Sequence, residues 1–254
     1  MSAEMSLAEY LARGGRLTSP ANVPPRYRAE LLRIMTTFVD SELAGAAGFA
    51  DLINAAPGIE ERIAAARIVL EKTVHAQRVL RLMGEFGADA GRYYRHHPWH
   101  ARSDPEAGAA GRAARDGQDM RLAVFDCPLG GWTDAVVMNA LMGRAAVVQL
   151  RELARVSYQP LAEAFAGILP VETRHAELGL EGMERLLATQ GAAPLQAAID
   201  RWWPRVSAAF GGDDAARFAR LAAMGLRHAP NAALRGQWET EMAGLLAPLG
   251  LRAG

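Results

Sequence analysis

The chain has 254 residues, half of them hydrophobic, enough to bury one large helical core. Its 28 basic and 28 acidic residues cancel, which removes the electrostatic case for a nucleic-acid partner, and the single cysteine, Cys127, excludes an intramolecular disulfide or a cysteine-rich metal site. No apolar run reaches the ~18 residues of a membrane span, and Glu4 and Glu9 stand where a signal peptide would be basic and then apolar, so a soluble, cytoplasmic protein is expected.

Residues 1–25 hold a short helical stretch at Leu7 to Ala12, then Thr18-Ser19-Pro20 and Pro24-Pro25, which break any longer helix; they read as an N-terminal arm ahead of one helical domain at 26–254. From Tyr27 to about Ala55 the spacing of Leu31, Met35 and Phe38 is helical, and Glu42 falls one turn later on the same side, where a carboxylate needs a partner. Pro57-Gly58 closes this helix. The next, from about Ile59 to Phe86, has Ile63, Ile68, Val79 and Leu82 marking its apolar side. His75 continues that face, with Glu71 and Lys72 within about 60° of it, one on either side.

Residues 88 to 131 show no sustained period and predict a long loop able to cover a site, its end anchored by Phe125 and Trp132. His96, His97 and His100 cluster there, but no cysteine or carboxylate stands at ligand spacing and Pro98 opposes a regular helix, so a solvated loop is expected. Trp132 to about Ser157 is a long helix with Gly143 at its middle, where glycine costs about 1 kcal/mol relative to alanine; a packing need or a lost side chain would account for it. From Gln159 to about Thr189, Phe165, Ile168, Glu172, His175 and Leu178 share a face, and Pro170 should bend or interrupt the helix just ahead of Glu172. Three shorter helices follow, Leu195 to Phe210, Asp214 to Leu226 and Asn231 to Leu246, with Trp202-Trp203 serving packing. The fold class is all-α.

A Glu three residues before a His, repeated on two helices and joined by further Glu side chains, is how helical bundles build carboxylate-bridged metal sites. Glu172 and His175 form such a pair, whereas Lys72 precedes His75. Four long helices can therefore bring together Glu42, His75, Glu172 and His175, a donor set suited to iron, manganese or zinc. A di-iron centre of this type uses four carboxylates and two histidines, so two carboxylates are missing.

Trp132-Thr133-Asp134, Ser157-Tyr158-Gln159-Pro160, Glu172-Thr173-Arg174-His175, Trp202-Trp203-Pro204 and Phe210-Gly211 occur in order and at similar spacing in the phenylacetyl-CoA epoxidase oxygenase-subunit family, which the chain resembles over about 27–246. The resemblance implies a ferritin-like four-helix bundle with extra C-terminal helices, iron, an acyl-CoA substrate, and an oligomeric assembly with a reductase and sister subunits. It also matches Glu42, His75, Glu172 and His175 to the family's metal ligands, and places Lys72 and Gly143 where the family has carboxylates. Asp134 and Glu152 are each nine residues from Gly143, on roughly the opposite side of the helix.

Several readings of the centre follow. In one, an oxygenase-like non-haem metalloprotein of the monooxygenase type keeps a single ion on Glu42, His75 and Glu172, with or without His175. Lys72 then fills the vacated half, Glu71 turns inward as a third carboxylate, and Gly143 leaves room beside the metal. In the alternative, the Lys72 ammonium replaces the metal in a salt-bridged core, and the chain is a structural subunit or pseudoenzyme. A stand-alone small-molecule binding protein has the same sequence features as the alternative.

Overall fold

A computed structural model describes residues 5–100 and 119–254, and among these the chain is all-helical. The helices are α1 (Leu7–Ala12), α2 (Pro25–Leu52), α3 (Ile59–Glu85), α4 (Ala90–His96), α5 (Trp132–Leu153), α6 (Gln159–Gln190), α7 (Ala192–Ala208), α8 (Ala215–Ala223) and α9 (Asn231–Leu246). The hairpins α2–α3 and α5–α6 pack against each other through α3 with α6 and α2 with α5, which is a ferritin-like bundle with one long crossover. No described helix is long and apolar enough to cross a membrane.

Helix α2 starts on Pro25, whose fixed φ suits the first helical position, and buries Tyr27, Leu31, Met35, Val39 and Leu43 at four-residue spacing. On α3 the buried face runs through Ala65, Ile68, Lys72, His75, Val79 and Met83. Ile63 does not share it. It lies five residues, about 140°, from Ile68 and instead joins Ile59, Leu70 and Val74 in an outward apolar stripe about 60° wide, each residue more than half exposed.

Within the expected loop at 88–131, Asp89 caps the short helix α4 by accepting from the Arg92 N–H at 2.9 Å, and Ala123–Asp126 form a 3-10 turn. Residues 101–118, the middle of the proposed covering loop, lie outside the described residues. Helix α6 is continuous through Pro170, so of the expected bend or interruption the interruption does not occur. Pro170 and Ala166, whose carbonyl loses its helical partner, both face solvent, so water can replace the missing donor.

The C-terminal helices extend the core rather than forming a second one. Trp202 and Trp203 are buried; the Trp203 ring meets Trp238 of α9 at a 37° tilt with centroids 4.5 Å apart, and Trp238 Nε1 donates to the Leu141 carbonyl at 3.0 Å. Leu17, from the N-terminal stretch, is buried beside Tyr158, and its carbonyl accepts from Gln159 N–H at 2.8 Å.

Candidate metal centre

The bundle's polar side chains converge because each continues an apolar helical face. Glu42 follows Leu31, Met35 and Val39 on α2; Lys72 and His75 interrupt the buried stripe of α3; Glu172 and His175 follow Ile168 on α6. All five are buried, His175 completely. The centre of the cluster is the Lys72 ammonium. Its Nζ donates to Glu42 Oε1 at 3.0 Å and to Glu172 Oε1 and Oε2 at 3.1 and 3.0 Å, which accounts for its three N–H groups. His75 Nδ1 spans the same two carboxylates, 3.2 Å from Glu42 Oε2 and 3.0 Å from Glu172 Oε1.

Burial alone would push the Lys72 ammonium towards neutrality, but the Glu172 and Glu42 carboxylates outweigh it and raise its pKa above the ordinary lysine value. His75 is likewise penalised by burial and raised by its hydrogen bonds to Glu172 and Glu42, to about 9. Glu172, which burial would raise, is held well below the usual carboxylate range by Lys72 and the two histidines. The centre is therefore a pair of carboxylates neutralised by a lysine and a histidine.

His175 stands to one side. Its Nδ1 lies 3.2 Å from Glu172 Oε1 and its Nε2 2.6 Å from Glu71 Oε2. Glu71, partly exposed, thus reaches across to His175 on α6 rather than turning towards Lys72 and His75 on its own helix. Asn139 on α5, not signalled by any motif, donates to the His175 carbonyl at 2.9 Å and ties α5 to α6 beside the cluster.

Gly143 lies on α5 where α6 comes closest. A Cβ there would stand 3.1 Å from Ala176 Cα, and one at Gly179 would stand 2.7 Å from Ala140 Cα, so these glycines let the two backbones touch. Close packing, rather than room vacated by a lost side chain, accounts for Gly143. Open space does lie beside it: a cavity of about 770 Å³ is lined by Glu42 and Lys72, by Phe38, Phe125, Met142 and Gly143, and by Arg217 and Arg227.

These donors do not fit a two-metal centre, since neither position 72 nor position 143 supplies a carboxylate and α6 crowds the place a Cβ would take at Gly143. Glu42, His75 and Glu172 do present one ligand atom each within 4.8 Å of one another. The two carboxylates among them already carry the Lys72 ammonium, which would have to leave before an ion entered. A second cluster was not legible in the sequence. His97, expected in a solvated loop away from carboxylates, has a buried side chain with Nε2 3.1 Å from Asp40 Oδ1 and 3.8 Å from Asp119 Oδ1.

Comparison with known proteins agrees with this architecture. The family described as phenylacetic acid catabolic protein matches residues 5–253. The A component of 1,2-phenylacetyl-CoA epoxidase from Escherichia coli (strain K12), one of that enzyme's subunits, is 27% identical over 195 residues, covering 76% of this chain and 57% of that relative. The chain thus spans less than two thirds of the relative's length.

Proposed function

Because the chain belongs to the phenylacetic acid catabolic protein family, we propose that it is a ligand-holding subunit of a cytoplasmic oxygenase-type assembly, with the Lys72 ammonium in place of metal at its central carboxylates. The observation that carries this reading is the Lys72 ammonium, bonded at once to Glu42 and Glu172. An ammonium in that place supplies the positive charge that the carboxylates need and locks α2, α3 and α6 together. The cavity beside it has the size and apolar lining of a small-molecule site. The similar epoxidase subunit is named for phenylacetyl-CoA, and an aromatic acyl thioester is accordingly the ligand class assigned to this cavity. The acyl part lies among Phe38, Phe125 and Met142, and Arg217 and Arg227 face the anionic part.

The subunit reading also supplies a use for the outward stripe of Ile59, Ile63, Leu70 and Val74 on α3, an apolar helix face on which sister subunits can dock. The tagged protein, isolated from its native host, should carry a family member with a complete carboxylate set and a reductase. Leu70→Asp should deplete both while leaving the fold intact. Recovery of the chain alone, under conditions where the sister subunits are expressed, would overturn the proposal.

A second reading rests on the convergence of Glu42, His75 and Glu172. One iron ion held by these three would supply oxidative chemistry, and the chain would act as a monooxygenase component. Lys72 would then have to swing into the cavity, while Glu71 would continue to position His175. That arrangement requires stoichiometric iron, lost on Glu172→Gln.

A further inference from the structure

Buried polar groups are almost always hydrogen-bonded, and at the Lys72 centre they are. The second cluster is different. Asp40 is fully buried on α2, and its Oδ2 accepts from the Met120 N–H, but its Oδ1 completes no aligned hydrogen bond. Neither ring nitrogen of His97 does so either, although Nε2 points into the cluster and the side chain is only 5% exposed.

The rest of the cluster is held firmly. Tyr93 stacks on the His97 ring with centroids 5.3 Å apart. Arg121 grips the Asp119 carboxylate through Nε, 3.1 Å from Oδ1 and 2.8 Å from Oδ2, and donates to the Pro98 and Trp99 carbonyls. Burial raises the Asp119 carboxyl, but these bonds outweigh it and keep it low. The Leu122 N–H donates to Ser41 Oγ at 3.0 Å, so residues 120–122 are fastened to α2, and Arg121 ties Pro98 and Trp99 to them.

We propose that Asp40, His97 and Asp119 form a binding site for one divalent transition ion, best matched by zinc, that clasps residues 97–99 and 119–122 to α2. Each residue offers one ligand atom within 4.8 Å of the others. In a tetrahedral zinc site with bonds of about 2.0–2.1 Å, neighbouring ligand atoms stand roughly 3.3 Å apart. The 3.1 and 3.8 Å separations from His97 Nε2 bracket that edge. One imidazole and two carboxylates with a fourth, water-filled position suit zinc. The clasp lies next to Leu122, Val124 and Phe125, which line the cavity, so the ion would fix one cavity wall.

The test uses the full-length protein, stripped with chelator and titrated with zinc chloride against a chromophoric competitor. One equivalent should bind and raise Tm. His97→Gln and Asp119→Asn should each lose more affinity than the roughly 10–100-fold that loss of an outer-shell partner costs. Glu172→Gln, at the other cluster, should bind zinc as the wild type does. No zinc binding by wild type, unchanged binding in both variants, or loss with Glu172→Gln instead would overturn the proposal. If a variant fails to fold, the zinc-dependent rise in wild-type Tm still decides, and its absence counts against the site.

Discussion

Replacing Lys72 by methionine isolates the ammonium's contribution, because the aliphatic stem is kept while the charge and three hydrogen bonds are removed. Glu42 and Glu172 would then face each other, buried, with only His75 between them. Breaking a buried ion pair by removing one partner costs about 3–5 kcal/mol, since the remaining charge is left without its counter-ion. A chain of this length loses roughly 2–4 °C of Tm per kcal/mol, so a fall of about 6–20 °C is expected. Thermal unfolding at pH 7 followed by circular dichroism measures it directly. The deficit should shrink towards pH 5 as a carboxylate takes up a proton. Arg174→Met, which breaks only the exposed contacts to Glu177 and Glu181, should have a far smaller effect. A Lys72→Met protein as stable as wild type would refute the view that the ammonium holds the centre together.

Other consequences follow from the same geometry. His75 is raised from 6.5 to about 9, so its contribution is fully present below pH 6.5 and lost as pH rises to about 9. On the order of 3 kcal/mol should disappear over that window in urea titrations, and a flat profile would contradict the charged His75. Glu172 is lowered, so its contribution holds above its ordinary value of 4.5 and fades on acidification below it. Gly143→Glu should not create a metal ligand. It should cost about 1–3 kcal/mol or more by driving α5 and α6 apart, read as a lower urea midpoint with no gain in bound iron. Gly45→Leu, where a Cβ already meets Phe125 at 3.3 Å and Lys72 Cδ at 3.5 Å, should narrow the cavity and weaken binding of an aromatic acyl thioester in calorimetry.

Periodicity alone brings Glu42, His75, Glu172 and His175 to one interior, because a helix face is a local property of the sequence. It also puts Lys72 on that face, three residues before His75. Contacts made across the bundle are not legible in this way. Whether Glu71 turns towards the carboxylates or, as found, towards His175 depends on the spacing of α3 and α6. Gly143 has two local explanations, and only the approach of Ala176 selects packing. Ile63 is expected in the core because it is apolar, although its angle to Ile68 puts it outside. Asp40 and Asp119 are separated by 79 positions, so no spacing rule could join them to His97.

If Lys72 occupies the place of an ion, anaerobic ferrous titration of the His97→Gln protein, in which the second cluster is disabled, tests it most directly. Ferrous uptake should stay far below one equivalent, and adding Lys72→Glu to the same protein should raise it through Glu42, His75 and Glu172. One equivalent bound without that change, and abolished by Glu172→Gln, would contradict the claim.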